Sequence, residues 1–318
     1  MPLAADEPVL TWVVGASGLL GSAVRRRLER DRLPWLSTSA AWSDPAAATR
    51  ALGATARTLS HQDRPWRVAW CAGAGVIGTD PTELAAETEV LGALLEELTG
   101  LLSRGGRPPE ALFLASSAGG VLAGSADPPF DEQTEPAPLS PYGEAKLRSE
   151  RLVEAFAART GVACLVGRIA NLYGPGQDIR KPQGLVSQLC RAHLTRRPIS
   201  IYVSLDTARD YLFVDDAAAL VVAGLDRVAR EGGTSLKILA SEHSTSVATI
   251  LAELRRVTKR PVQVVLGANP NARFQVRDLR LRSTVWTDLQ REVRTPLPAG
   301  ISATLAAVSG DLRSGRLH

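Results

Sequence analysis

The sequence predicts an α/β fold built on a doubly wound parallel sheet, with a smaller mixed part toward the C-terminal end. Three observations carry this. Short apolar strands alternate with helical patterns from Leu10 to Arg168, the rhythm of consecutive βαβ units. The first strand runs into a glycine turn, Gly15, Gly18 and Gly21, that opens directly into a helix. After Asn171 the alternation breaks into shorter pieces punctuated by Gly174-Pro175-Gly176, Arg197-Pro198 and Gly232-Gly233.

Each element has a local reason. Leu10 to Val14 reads as a buried strand, and the helix after the glycine turn carries Ala23, Val24 and Leu28 on one face. A second short strand is expected at Trp35 to Ser39. Asp44-Pro45 starts an alanine-rich helix to about Leu59, with the acid as cap and the proline in the first turn. The stretch up to Trp66 is short, so the third strand of such a sheet is expected to be missing or degenerate. Arg67 to Cys71 is the next strand, and Asp80-Pro81 opens a helix with Leu84, Leu91, Leu94, Leu95 and Leu98 on one stripe. Ala111 to Ala115 is a strand ending in Ser116-Ser117. Ser140-Pro141 opens a helix to about Arg159, and Ala163 to Arg168 is again a strand. Apolar strands alternating with helices argue for a parallel sheet covered on both faces. The expected dinucleotide-binding domain is residues 1–173 with about 209–232. The substrate-binding part is 174–208 with 233–318, packed closely over the carboxyl ends of the strands. The Arg-Ser-Gly-Arg end after Asp311 is expected to fray.

Composition narrows the function. The 318 residues are 45% hydrophobic and 22% charged, a balance that excludes disorder and small disulfide scaffolds. The longest apolar stretch, Ala217 to Leu225, is far too short to cross a bilayer, and no signal peptide is expected. Cys71, Cys164 and Cys190 are widely spaced, which suits a reducing, cytoplasmic setting and gives no zinc pattern. The net charge of +4 comes almost wholly from arginines, since Lys146, Lys181, Lys237 and Lys259 are the only lysines. They mostly alternate with acids, as in Arg148-Ser149-Glu150-Arg151, the pattern of a solvated face rather than a nucleic-acid surface.

The glycine turn is the first chemical signal. Glycine lets the chain leave the strand sharply, lets backbone approach a pyrophosphate, and lets the helix sit close to the sheet. The helix N-terminus then offers free N–H groups to phosphates. A rival set, Gly73-x-Gly75-x-x-Gly78, follows the Arg67–Cys71 strand, but Thr79-Asp80-Pro81 restarts the chain there. That set is either a passage beside the cofactor's far half or a bare loop. About 20 residues after the first turn, an acid usually holds the adenosine ribose. Here the stretch reads Leu36-Ser37-Thr38-Ser39-Ala40-Ala41, with no acid. Small hydroxyls at Ser37, Thr38 and Ser39 tolerate a 2′-phosphate that a carboxylate would repel, so NADP is preferred, with NAD as the other possibility. Arg50 is either a phosphate partner or a solvent-facing helix residue.

The second signal is Tyr142-Gly143-Glu144-Ala145-Lys146. On a helix, i and i+4 share a face. An ammonium beside a phenol favours its ionised form, which suits Tyr142 to acid/base work on an alcohol–ketone pair. Ser116-Ser117 ends a parallel strand, where ligands bind in such sheets. Ser117 can hydrogen-bond the same substrate oxygen, and Ser116 is the fallback.

These motifs, in this order, resemble the extended short-chain dehydrogenase/reductases of the nucleotide-sugar epimerase/dehydratase superfamily, whose core is a Rossmann-type sheet. The matching segments are Val13 to Gly21, Leu112 to Ser117, Pro138 to Lys146, Arg168 to Gly176, Arg209 to Asp216 and, more weakly, Pro296 to Ile301. The resemblance implies that Ser117, Tyr142 and Lys146 form the catalytic triad, with a nucleotide-sugar substrate and a homodimeric assembly. It implies cofactor contacts from Gly15, Ser17, Gly18, Leu19, Leu20 and Gly21, from Ser37, Thr38 and Ser39, from Cys71, Ala72 and Gly73, and from Tyr142 and Lys146. Asn171 would sit near the substrate's phosphates or sugar, and Arg209 would contact the nucleotide diphosphate. Gln183 to Val186 would lie near the nucleotide, and Arg168 and Asp216 would support the junction of the two parts.

Departures from the family pattern bear on the reaction. An asparagine usual in the helix after the strand at Arg67–Cys71 is replaced, by alignment, with Glu89. The segment Tyr202 to Ala208 lacks the glycine that usually precedes Arg-Asp-Tyr. Ser117-Ala118-Gly119-Gly120 lacks the acids that 4,6-dehydration uses, which disfavours that reaction. The preferred reading is a keto-sugar reductase using NADPH, with Tyr142 supplying the proton. The alternatives are an epimerase with tightly held NAD and a non-catalytic cofactor-binding regulator, the latter disfavoured by the intact triad.

Other residues are read as structural. His61, His193, His243 and His318 lack metal-ligand spacing. Cys71 and Cys164 are expected to pack as small hydrophobes, and Cys190 has no activating base. Trp12, Trp66 and Trp70 are expected in the core. Trp42 is read as packing, with stacking on adenine as its alternative. Asp215 and Asp216 are expected to cap the helix from Ala217 onward.

Overall fold

The computed structural model describes residues 7–73, 75–181, 183–267 and 277–314. His318 and the tip of the chain from 315, where fraying is expected, lie outside them.

The chain begins β1 (Leu10–Val14), α1 (Leu19–Arg30), β2 (Trp35–Leu36), α2 (Pro45–Ser60), β3 (Trp66–Trp70), α3 (Pro81–Ser103) and β4 (Ala111–Ser117). It continues through α4 (Ala118–Val121), α5 (Pro141–Thr160), β5 (Ala163–Ile169) and β6 (Asn171–Tyr173). Next come α6 (Leu185–Thr195), β7 (Ile199–Ile201), β8 (Ala208–Phe213), α7 (Val214–Glu231) and β9 (Thr234–Leu239). It ends with β10 (Ser244–Ser246), α8 (Val247–Thr258), β11 (Val264–Leu266), β12 (Asp278–Leu279) and α9 (Leu297–Arg313).

Six strands form one parallel sheet in the order β2-β1-β3-β4-β5-β9. Among the described residues no strand lies outside β2, so the outer strand of the common doubly wound order is missing. β1 alternates its side chains between two faces. Val13 packs with α1 and α7, while Trp12 and Val14 pack with α2, α3 and α5. Trp12 and Trp66 are fully buried, and Trp70 nearly so. The helix starts obey local chemistry. Asp44 accepts from Ala47 N at 2.9 Å, Asp80 from Thr82 N at 2.8 Å and Ser140 from Gly143 N at 3.2 Å, each with proline directly after it.

The second part is a small mixed sheet. β8 pairs with β6 and β12 in parallel and with β10 antiparallel. It is backed by a third core in which Tyr173 of β6 and Phe213 of β8 join Leu189, Cys190, Ile250 and Ile301 from α6, α8 and α9. β9 corrects the expected division. Residues 234–239, expected in the substrate part, complete the main sheet, each residue paired with β5. Likewise β6, placed in the dinucleotide domain, pairs only with β8 of the small sheet among the described residues.

Three side-chain roles also change. Asp215 and Asp216 do not cap a helix, because α7 already starts at Val214. Asp215 instead pairs with Arg26 on α1 at 2.8 Å. Asp216 accepts from Thr295 N at 2.9 Å and Thr295 Oγ1 at 3.0 Å, tying the approach to α9 onto α7. Arg168 does not bridge the two parts but turns back to Glu150 on α5. The three cysteines are free, and burial pushes the thiols of Cys164 and Cys190 up to about 12. Among the described residues no helix is long and apolar enough to cross a membrane.

Candidate active site

The site lies at the carboxyl ends of β1, β3 and β4. Gly15 has φ +84°, and a Cβ there would stand 2.7 Å from the backbone of Ala72. A Cβ on Gly21 would fall 2.1 Å from Gly15 O. The turn therefore closes only with glycine, and it presses α1 onto the strand end. Gly18, the N-cap of α1, has no side-chain capping bond, which leaves the first-turn N–H groups to a ligand. Cys71, half-buried, donates its N–H to Val14 O at 2.9 Å. Cys71, Ala72 and Gly73 thus run beside the glycine turn. Gly176 comes down on the same place, since a Cβ on it would lie 3.4 Å from Ser22 Oγ.

The residues expected to transfer the proton lie one strand away. Ser117 ends β4, and its Oγ accepts from Gly120 N at 3.1 Å, capping the short α4. A Cβ on Gly120 would stand 2.9 Å from Tyr142 Cε1 and 3.3 Å from Ser117 Cβ. A side chain at 120 would collide with the phenol ring that flanks this turn together with the serine. Lys146 Nζ lies 5.8 Å from the Tyr142 ring centroid and donates to Ala115 O at 3.3 Å. A Cβ on Gly143 would come within 2.0 Å of Gly120 O, so α5 begins in backbone contact with α4.

Ser116 is not an available fallback. Its hydroxyl donates to Glu150 Oε1, and Arg168 grips both Glu150 oxygens, Nη2 to Oε2 at 2.8 Å and Nε to Oε1 at 3.1 Å. All three side chains are buried directly behind the strand end.

One cavity joins Tyr142 and Lys146 to Gly73, Glu87, Trp70 and Trp42. The second glycine set is therefore no bare loop. A Cβ on Gly73 would touch Lys146 Nζ at 3.0 Å, and Gly75 N donates to Glu87 Oε1 at 3.1 Å. Glu89, the position aligned with the family asparagine, is exposed, while Glu87 and Thr88 face the cavity. The sequence held that signal as two polar residues set between Leu84 and Leu91 on a buried stripe.

At the end of β2 the three hydroxyls separate. Ser37 and Ser39 are exposed. Thr38 accepts from Trp12 Nε1 at 3.0 Å and shares a bond with Thr55 Oγ1 at 2.8 Å, so its hydroxyl is tied inward. Arg50 is exposed on α2. Trp42 is 40% exposed and meets Trp70 edge to face, at 6.1 Å and 88°. It is not a core residue.

Asn171 is exposed at the start of β6, with its Oδ1 3.9 Å from the position of a Gly119 Cβ. Its neighbour across the ladder is Tyr211 on β8, and Arg209 lies two residues back on the same face. Arg209 is buried. Burial lowers its pKa from the ordinary value, and Nη1 donates to Ala208 O at 2.8 Å. Among the described residues no group of His, Cys, Asp and Glu side chains can hold a metal.

Residues 11–238 match the model of the NAD dependent epimerase/dehydratase family. The chain belongs to this family. Its members are the extended short-chain dehydrogenase/reductases that the ordered motifs resemble. Among curated relatives, the dTDP-L-rhamnose 4-epimerase of Burkholderia thailandensis is 32% identical over 36% of this chain and 32% of its own. The dTDP-4-dehydro-6-deoxyglucose reductase of Escherichia coli is 31% identical over 37% of each. The matched segment thus spans about a third of these relatives. In fold the likeness covers the whole chain. UDP-glucose 4-epimerase from Thermotoga maritima, solved with UDP-glucose, has a TM-score of 0.77 at 21% identity, over 96% of this chain and all of that one.

Proposed function

We propose that this protein is an NAD(P)-dependent oxidoreductase acting on a nucleotide-activated sugar, and that it reduces a keto-sugar with NADPH. The observation that carries the reading is that Tyr142 and Ser117 flank Gly120, with Lys146 beside the Tyr142 ring and one cavity joining Tyr142 and Lys146 to Ala72 and Gly73. The Gly15–Gly21 contact and the uncapped start of α1 fit a dinucleotide pyrophosphate. When bound, the reduced cofactor supplies the hydride that turns the carbonyl into an alcohol. Tyr142 Oη gives its proton to the carbonyl oxygen. Ser117 Oγ, already accepting from Gly120 N, keeps its own proton to hold that oxygen in place. Lys146, with its Nζ 5.8 Å from the Tyr142 ring centroid, would hold the cofactor ribose and keep a positive charge beside the phenol. Asn171 and Arg209 take the phosphate-bearing end of the substrate, within a part formed by 174–208 and the chain after β9. The exposed Ser37 and Ser39, in a stretch Leu36 to Ala41 that carries no acid, support NADP over NAD. Three free cysteines support a cytoplasmic setting, and the family resemblance supports a homodimer.

A second reading, epimerisation with tightly held NAD, is supported by the epimerases among the relatives. There Tyr142 first takes and then returns the hydroxyl proton. Purified protein given a nucleotide-activated keto-sugar and NADPH is expected to consume the NADPH. No consumption, with NAD copurifying from the cells, overturns the reductase in favour of the epimerase.

A further inference from the structure

The β2 edge of the sheet poses a question the proton-transfer site does not answer. A dinucleotide with its pyrophosphate on Gly15–Gly21 sends one half toward Tyr142, on the β4 side, and the other half toward β2. In the doubly wound order a further strand flanks that position. Here β2 is two residues long and outermost among the described residues. The chain from Ser37 to Asp44 connects β2 to α2, and Trp42 lies in that connection, against Trp70 at the end of β3.

Trp42 is poorly explained as packing. It is 40% exposed, and the other large exposed apolar side chains, Leu139, Tyr202, Val265 and Leu266, lie on other elements. Its ring meets Trp70 at 88°, so Trp70 lies flat on neither of its faces. Yet Trp42 lines the same cavity as Gly73, Tyr142 and Lys146. An exposed indole on the connection after β2, lining a cavity shared with Gly73 and Lys146, matches one feature of the ligand, the flat purine of its adenosine half. Stacking needs only a π-face and no hydrogen-bond reader, which suits an edge that has lost its outer strand.

We propose that Trp42 is the platform on which the cofactor's adenine ring stacks. The assignment rests on the cofactor reading given above. The test is titration of the purified protein with NADPH, NADH and reduced nicotinamide mononucleotide, which lacks adenine. Affinity is read from nicotinamide fluorescence for the wild type, Trp42→Ala and Trp42→Phe. Trp42→Ala is expected to weaken both dinucleotides by about tenfold or more, and Trp42→Phe by no more than about threefold, because a phenyl face still stacks. The mononucleotide is expected to bind all three proteins alike. Dinucleotide affinity unchanged in Trp42→Ala, or a mononucleotide weakened equally, overturns the platform and leaves the cofactor reading standing. A wild type that binds neither dinucleotide overturns both.

Discussion

Two buried carboxylates, one in each part of the molecule, are treated in opposite ways. Behind the end of β4, both oxygens of Glu150 are bonded by Arg168 and Ser116. In the small sheet, Asp210 is equally buried; its Oδ1 accepts from Ser241 N at 2.8 Å, while among the described residues its Oδ2 has no hydrogen-bond partner. Burial outweighs the backbone N–H groups near it and raises the Asp210 pKa to about 6. The strand that carries Ser117 is thus backed by a charge that partners hold in place. The strand that carries Arg209 contains one whose pKa burial raises to about 6. A side chain that must place a proton within tenths of an ångström needs a fixed support; β8 does not.

The contrast can be tested in order of effect. The heaviest loss belongs to the chemistry on the supported side. Tyr142→Phe should lower kcat by about 10²- to 10⁴-fold, the usual worth of a general acid, with the melting temperature unmoved. Turnover that survives would detach the serine–tyrosine–lysine cluster from function. Next, Glu150→Ala should destabilise the protein by about 3–5 kcal/mol in chemical denaturation, since it leaves Arg168 buried without its counter-charge. A loss below about 1 kcal/mol, the range of surface ion pairs, would erase the difference between the two carboxylates.

Asp210 gives a smaller and pH-dependent effect. Its carboxyl holds a proton in the folded state up to about pH 6, whereas the unfolded carboxyl releases it near 4. The stability it contributes is therefore full below about pH 4 and is lost as pH rises through 6. Relative to Asp210→Asn, which keeps an acceptor for Ser241 N, the wild type should lose on the order of 2 kcal/mol across that window. Parallel stability curves for the two proteins would show that Oδ2 is answered after all. The smallest effect is a gain. Gly310 lies inside α9 with open space where a Cβ would go, so Gly310→Ala should stabilise by about 0.5–1 kcal/mol in thermal unfolding.

What the sequence revealed was local. The glycine turn, the three capped helix starts at Asp44, Asp80 and Ser140, and the Tyr142–Lys146 spacing each depend on a few adjacent residues, and each is found where expected. What it hid depends on partners distant in sequence. Thr38 read as a cofactor hydroxyl because nothing nearby shows that Trp12, 26 residues earlier, claims it. Arg168 read as a bridge because Glu150 lies on a different element. Asp216 read as a cap because the loop it holds, Arg294-Thr295, comes 78 and 79 residues later. β9 looked like part of the C-terminal unit because its place beside β5 is a matter of sheet order, not of pattern.

The contact between Gly143 and the carbonyl of Gly120 has a consequence for how such a pocket can change over time. The gap between the serine and the phenol is set by two main chains touching, not by any replaceable side group. Mutation cannot adjust it gradually, because the first methyl group added at 143 already collides. On the function proposed above, variety in the sugars accepted would then arise from the small mixed part rather than from the α4–α5 contact, which acts as a fixed jaw.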